Sequence, residues 1–515
     1  MLENMDYTPV QGNLDAEVEF LTSDSRKAKE KTAFVCIVGA VSDGHKYIGD
    51  VVKAGASVVV VQNKGRTIET AENVCNKAAS EDGKEAADNG ILAGIPSDVT
   101  VISVENTRYA LAHMSAAYFG HPAKELFTIG ITGTKGKTTT AYMIKNVLEA
   151  CKIKTGLIGT IEVIVGDKHI HADRTTPESY EIQKYFRQMA DEGCKAVVME
   201  VSSQGLKLDR TAGILFDIGV FTNLESDHIG PNEHESFEDY LRCKSLLFKQ
   251  CRVGIVNSDD AYTTQIIRDC TCSIERYGLG ENADLRAENI QLLHEPGKIG
   301  LTYDCKGLVD MSVELNSPGK FSVYNSLCAI AVTRHFNVDK NALADTIKNV
   351  KVKGRIELVK VSDKFTLMID YAHNAMALES ILATLKEYNP HRLVCLFGCG
   401  GNRAKERRYE MGEVSGKLAD FTVITSDNPR FEEPEAIIND IKTGINKTDG
   451  KYVTIVDRRE AIKYAIKNGE PGDIIILAGK GHEDYQEIKG VKYPMDERVL
   501  IAQILEELKS EGWEG

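Results

Sequence analysis

Phe127 to Thr140 read FTIGITGTKGKTTT, a short apolar strand that runs into a glycine turn, a lysine and a row of hydroxyls before the helical stretch AYMIKNVLEA. The backbone N–H groups of Gly133, Thr134, Lys135 and Gly136 can wrap phosphate oxygens. Lys137 can reach the terminal phosphates and the Thr138 hydroxyl can ligate Mg2+, all at a helix N-terminus whose dipole favours anions. The strict phosphate-loop pattern wants glycine five residues before Gly136, where this chain has Ile131, so the match is to a tighter GTKGKTT variant. Strand, turn, Lys-Thr and helix in this order imply ATP or GTP as ligand and an α/β sheet to carry it.

Working outward, the chain of 515 residues exceeds the roughly 250–300 at which one core stops growing, so several domains are expected. Its net charge of −14 argues against bulk attraction to nucleic acid, so anionic ligands must be captured by loops and single Arg or Lys residues. The twelve cysteines lack paired CxxC knuckles, with Cys270-Thr-Cys272 the only close pair, which predicts free thiols in a reducing cytoplasm. The start MLENMDYTPV has neither a basic region nor an apolar core, and no apolar run approaches the roughly 18 residues of a membrane span. A cytoplasmic enzyme without membrane insertion is the expectation.

Three segments follow from the patterning. Residues 1–120 alternate TAFVCIVG, ASVVVVQ and VTVISVEN with helical stretches and predict a small α/β domain; its polar middle, Asn73 to Pro96, reads as a solvent-facing insertion. Residues 121–353 add KAVVMEVS, DIGVFTN and VGIVN to the phosphate loop and predict an ATPase domain with a mainly parallel sheet. Residues 354–515 alternate RLVCLFG, DFTVITS and DIIILAG with ALESILATLKEY, EAIINDIKTGI and VLIAQILEELKS, the pattern of a doubly wound domain.

In such sheets ligands gather at the carboxyl ends of the strands. Those ends here carry Gly398-Cys-Gly-Gly-Asn-Arg403, Ser426-Asp-Asn-Pro-Arg430 and Gly479-Lys-Gly-His-Glu483. Two arginines and two acids at one edge suit a zwitterion, with forked donors for carboxylates and acids for an ammonium. In the central segment, Glu200 ends a strand where Mg2+ beside the phosphate loop needs a carboxylate. Asp227-His228 and Lys244 follow. Near magnesium a lysine would be repelled unless CO2 converts its amine to an anionic carbamate; taken alone, Lys244 reads as a surface lysine.

GTKGKTT, EVSSQGL, FTNLESDH, RCKSLLF, PGKFSVYNSLCAIA, GRIE and DYAHN stand in the order found in the Mur ligases, ATP-dependent amide-forming enzymes of peptidoglycan precursor synthesis, and the resemblance spans nearly the whole chain. Ser23-Asp-Ser-Arg26 and Asp43-Gly-His45 resemble that family's UDP-binding amino domain. The DNPR loop with Arg403 resembles the MurE type that adds meso-diaminopimelate to UDP-N-acetylmuramoyl-L-alanyl-D-glutamate; lysine-adding relatives usually lack the arginine. The resemblance implies Gly133 to Thr139 for ATP, with Asn325, Arg355, Asp370 and His373 closing over it. It implies Lys137, Glu200, His228 and Lys244 as catalytic groups. Thr138, Glu200, His228 and carbamylated Lys244 would be the magnesium ligands or their water partners. Ser23, Ser25, Ala40, Val41 and Ser42 would surround the uridine, while Thr175, Thr176, Ser202 and Arg210 hold the peptide end. Arg403, Asp427, Asn428, Pro429, Arg430, Gly479 and Glu483 would hold diaminopimelate, with closure about Gly354-Arg355 joining the reactants.

Four stretches depart from the family pattern: AMALE after DYAHN in place of a Thr-Pro-Asp step, Arg174 in place of asparagine, Leu208 in place of glutamine, and a longer loop, IGPNEHESFEDY, after Asp227-His228. Rival readings are an L-lysine-adding enzyme, a folylpolyglutamate or cyanophycin type of ligase, and a non-catalytic nucleotide-binding paralogue. A GTP switch is the remaining one, since Asn446-Lys-Thr-Asp449 matches NKxD. That motif should end a strand, whereas here it follows a helical pattern.

Overall fold

Unbroken Val and Ile runs become strands buried on both faces, as parallel sheets require. The computed structural model describes residues 1–39, 42–63, 95–227, 229–230, 233–295, 298–513 and 515. These divide into two compact units: Met1–Lys137 with Lys152–Val256 and Asp260–Glu275, and Thr138–Cys151 with Asn257–Asp259 and Arg276–Gly515. Among the described residues no helix is long and apolar enough to cross a membrane. Nearly all of the polar stretch expected from Asn73 to Pro96 lies outside the described residues.

The first unit holds a five-stranded sheet, ordered Thr8–Gln11, Thr100–Val104, Ala56–Gln62, Thr32–Val35, Phe20–Thr22. It is parallel except at the Thr8–Gln11 edge. Alternation along each strand serves two cores: Phe34, Val59 and Val101 pack with Ile48 and Val51, while Val35, Val60 and Ile102 pack with Leu111 and Met114 of the helix Thr107–Tyr118.

The same unit carries the phosphate-loop strand Phe127–Thr132 between Phe216–Phe221 and Ala196–Glu200, with Cys251–Asn257 and Thr155–Ile158 outside them, all parallel. Glu200 lies opposite Ile131, which puts its carboxylate at the strand end level with the start of the loop. Beyond Thr155–Ile158 the hairpin Glu162–Val165 and Lys168–His171 continues the sheet antiparallel.

In the second unit Leu285–Glu295, Lys298–Gly307 and Met311–Leu315 form an antiparallel meander. The patterning had not set it apart from the parallel strands. A six-stranded sheet follows, ordered Glu357–Val359, Thr366–Asp370, Ile474–Ala478, Leu393–Phe397, Phe421–Ile424, Tyr452–Thr454, parallel apart from its first edge. Helices Ala375–Lys386, Lys405–Leu418 and Pro434–Ile445 cover one face. Arg458–Lys467 and Glu497–Ser510 cover the other, so the doubly wound expectation holds. The hairpin Tyr485–Ile488 and Val491–Pro494 stands apart as a two-stranded sheet.

Candidate functional site

The loop after Phe127–Thr132 is shaped by glycine. Gly133 sits at φ +147°, and a Cβ there would come within 1.9 Å of Thr222 Oγ1. The Phe221-Thr222-Asn223 segment supports the loop: Thr134 N–H donates to the Asn223 carbonyl (2.9 Å), Lys135 N–H to Asn223 Oδ1 (2.8 Å), and Thr222 Oγ1 to the Lys135 carbonyl (2.7 Å). Two of the four N–H groups expected to cradle phosphate are thus committed to Asn223. The Lys135 ammonium pairs with Glu225 at 2.6 Å. Thr138 is buried and Thr139 half-buried where the helix Lys137–Ala150 begins, and Thr140 of that helix donates to Asn325 Oδ1 (3.3 Å).

Two lysines converge on one acceptor. The Gly133 carbonyl receives Lys137 Nζ at 2.8 Å and Lys244 Nζ at 2.8 Å. Lys244 is 1% exposed on the helix Phe237–Ser245 and lies 4.4 Å from the Tyr240 ring centroid. Read alone it suggested a surface lysine; the structure buries it, because the Ser236-capped helix turns that face inward. Burial, and next the charge of Lys137, push its amine well below the ordinary lysine range.

Glu200 is 1% exposed. Its Oε1 accepts from Thr160 N–H (2.9 Å) and its Oε2 from Thr160 Oγ1 (3.0 Å), which in turn meets Thr175 Oγ1 at 3.0 Å. Gly159 makes room, since a Cβ there would lie 2.5 Å from Glu200 Oε1. Thr176 Oγ1 donates to the Glu200 carbonyl (3.0 Å) and accepts from Ser202 N–H (2.9 Å), and Arg210 Nη1 donates to the Thr176 carbonyl (2.9 Å). Thr175, Thr176, Ser202, Arg210 and Glu200 therefore form one connected set. Glu178, unremarked in the sequence, gathers Arg210, Arg174 and Arg108.

Ser23 is exposed and Ser25 half-buried in the turn after Phe20–Thr22, where Asp24 caps Ser25–Lys27. The next parallel strand leads to Ser42, whose Oγ is 3.2 Å from Tyr47 Oη, and to His45, held by Asp43 at 2.6 Å. Ala40, Val41 and His228 lie outside the described residues.

In the second unit the three loops at the strand ends are tied together. Gly401 N–H donates to the Asn428 carbonyl (2.9 Å), and a Cβ at Gly401 would meet the Pro429 carbonyl oxygen at 1.9 Å. Arg430, at φ +52°, donates from Nε to Glu487 (3.1 Å) and from Nη1 to the Gly401 carbonyl (2.7 Å). Its backbone N–H donates to the Glu487 carbonyl at 3.0 Å, so the small hairpin holds the unusual conformation. Asp427 and Asn428 are 8% and 5% exposed. Asn428 Nδ2 donates to Glu483 (2.9 Å), and the Gly479 backbone lies against Asp427. Arg403 is exposed. The sequence missed Lys480, wholly buried among these residues; its place inside Gly479–Glu483 was the available signal. Nearby, Arg355 lies over the Tyr371 ring (4.6 Å), Asp370 accepts from Ile356 and Ala372 N–H, and His373 Nδ1 is 2.8 Å from the Tyr371 carbonyl. Asn446 caps the end of the helix Pro434–Ile445, not a strand, which removes the context a guanine motif needs.

Among the described residues the expected donors, a buried carboxylate and a threonine hydroxyl, are oxygens that suit a hard cation such as Mg2+, and the glycine cradle of Glu200 fits that use.

Three family models match: "Mur ligase family, catalytic domain" over residues 17–119, "Mur ligase middle domain" over 131–333, and "Mur ligase, glutamate ligase domain" over 354–481. The chain is 39% identical over 513 residues to a UDP-N-acetylmuramoyl-L-alanyl-D-glutamate--2,6-diaminopimelate ligase of Clostridium perfringens, covering 98% of this chain and 99% of that one. It is 41% identical over 511 residues to such a ligase, numbered 1, of Clostridium acetobutylicum, covering 99% of each. A solved structure of a UDP-N-acetylmuramoyl-L-alanyl-D-glutamate--2,6-diaminopimelate ligase matches with TM-score 0.69 and 27% identity, over 96% of this chain and 97% of that one. MurF from Acinetobacter baumannii shares the fold, with TM-score 0.57 and 18% identity over 95% and 94%.

Proposed function

Because the chain belongs to the Mur ligase family, we propose that it is an ATP-dependent ligase joining meso-diaminopimelate to UDP-N-acetylmuramoyl-L-alanyl-D-glutamate in peptidoglycan precursor synthesis. The full-length similarity to ligases named for those two substrates supports it. The observation that carries the choice of amino acid is the Asp427–Arg430 loop, in which the Arg430 guanidinium is held by Glu487 and the Gly401 carbonyl, Asp427 and Asn428 are buried, and Asn428 donates to Glu483. A fork for a carboxylate and acids for an ammonium are what the distal end of diaminopimelate requires, and lysine has no carboxylate there. We read the domains as 1–120 for the UDP end, 121–353 for ATP and 354–515 for the amino acid.

A carboxylate of the D-glutamyl residue is a poor electrophile, so its oxygen first attacks the γ-phosphorus of ATP; the bond to ADP breaks and an acyl phosphate forms. Lys137 supplies positive charge where the γ-phosphate gains negative charge. The free amine of diaminopimelate then attacks the acyl carbon, gives up a proton and expels phosphate, leaving an amide. Thr138, Glu200, His228 and carbamylated Lys244 would hold Mg2+ or its waters, and the ion supplies charge neutralisation on the phosphates. Lys244 is suited to carbamylation: burial lowers the pKa of its amine and so favours the neutral form that is nucleophilic toward CO2, and the N–C bond formed with loss of a proton turns it into an anion. Thr175, Thr176, Ser202 and Arg210 orient the peptide end, and Ser23, Ser25 and Ser42 the uridine end. Asn325, Arg355, Asp370 and His373 attend the nucleotide.

The test is ADP release by the purified protein with ATP, Mg2+, UDP-muramoyl dipeptide and meso-diaminopimelate, leaving out one component at a time. Release should require all four. Release that persists without the dipeptide or the amino acid would contradict the ligase reading.

A further inference from the structure

Lys480 is 0% exposed, although its side chain ends in a charge. Nζ donates to Asn428 Oδ1 (2.9 Å), to Glu483 Oε2 (2.9 Å) and to the Tyr485 carbonyl, so all three protons are used. Asp427 Oδ1 lies 3.5 Å away, buried and without a hydrogen-bond partner among the described residues. Asn428 Oδ1 also accepts from Glu487 N–H (2.9 Å), which turns its Nδ2 toward Glu483 Oε2. One hidden ammonium thus touches three of the groups assigned to the amino acid, yet every donor it has faces protein.

We propose that Lys480 is the positioning residue of the diaminopimelate seat: its ammonium holds the Glu483 carboxylate and the Asn428 side chain in place beside Asp427, so that Asp427 and Glu483 take the distal ammonium of the substrate between them. This rests on the function proposed above. Two carboxylates sharing a buried seat repel, and without the cation that bridges them they are no longer held at the spacing an ammonium needs. The seat would then lose its hold on an ammonium while the rest of the loop, tied through Gly401 and Arg430, keeps its place. An orphaned, buried Asp427 oxygen is the counterpart expected of such a seat, since an unpartnered acceptor is costly unless a ligand satisfies it. Because every donor of Lys480 is spent on protein acceptors of its own loops, its effect should fall on recognition and not on the chemical steps.

The experiment compares wild type, Lys480→Met and Lys480→Arg, with meso-diaminopimelate and with L-2-aminopimelate, which has hydrogen in place of the distal amino group. In Lys480→Met the KM for diaminopimelate should rise about thirtyfold with kcat changed less than about threefold, the size of effect expected when a buried charge partner is cut away. KM for L-2-aminopimelate and for ATP should stay within about twofold, so the preference for the diamino acid collapses. Lys480→Arg keeps the charge and should keep the preference. Were both amino-acid KM values to rise together in Lys480→Met, or Lys480→Arg to lose the preference, Lys480 would only support the loop and the inference would fall; the Arg variant decides even if Lys480→Met does not fold. A wild type that releases no ADP with diaminopimelate overturns the ligase reading itself, and this inference with it.

Discussion

Lys137 and Lys244 share the Gly133 carbonyl, and the contrast between them sets their expected roles. Lys137 is half-buried on the loop, so Lys137→Ala should fold normally and lose turnover to below a tenth of wild type, read as phosphate release. Lys244→Ala should be nearly inactive and regain part of its activity with added acetate or formate, because a small carboxylate can stand where the carbamate was. Ordinary activity of the wild type in CO2-depleted buffer would refute the carbamate. Arg430→Ala should raise the KM for diaminopimelate by the equivalent of about 2 kcal/mol, leave the KM for ATP alone, and narrow the preference over L-lysine, because truncating a partly desolvated charge partner costs at the lower end of about 2–5 kcal/mol. Lys137 and Arg430 stand in short motifs visible in the sequence, whereas Lys244 by itself read as a surface lysine and was singled out only by the resemblance. Glu178 was not legible, since an ion-pair partner leaves no spacing signature and shows itself only through what surrounds it, and buried Lys480 showed only by its place inside Gly479–Glu483.

The parallel strands were readable one by one, because Val- and Ile-rich runs such as KAVVM and DIIILAG have no polar alternation to confuse with a surface helix. The antiparallel meander over Leu285–Leu315 escaped, for its strands are half-exposed and mix Arg, Glu, Lys and Asp with the apolar residues. The hairpin Tyr485–Pro494 escaped too: Gln486-Glu487 and Lys489-Gly490-Val491-Lys492 carry little apolar pattern, although the hairpin holds Arg430 by backbone and side chain. Close approach is likewise invisible in sequence. Gly159 exemplifies it, and Gly159→Ala should push the added methyl onto Glu200 Oε1, 2.5 Å away. The expected result is a Mg2+ requirement raised about tenfold, the scale on which disturbing a ligand's support weakens metal binding. An unchanged Mg2+ dependence of ADP release would show that Glu200 does not serve the ion.

At the scale of the molecule the α/β class anticipated from the sequence holds, and the structure adds the detail of a five-stranded sheet inside residues 1–120 and a six-stranded one inside 354–515. The net charge of −14 fits capture of anionic substrates by local loops instead of a general positive field. The departures at Arg174 and Leu208 fall beside Thr175, Thr176, Ser202 and Arg210, where Arg174 pairs with Glu178, and not on the Asp427–Arg430 loop. The amino-acid choice therefore stands on a loop that follows the family pattern. Its most direct test offers the purified protein ATP, Mg2+, UDP-muramoyl-L-alanyl-D-glutamate and an equimolar mixture of meso-diaminopimelate, L-lysine and L-ornithine, and weighs the product by mass spectrometry. The account predicts a product heavier than the starting nucleotide by diaminopimelate less one water, with the other two adducts minor; a dominant lysine or ornithine adduct would contradict it.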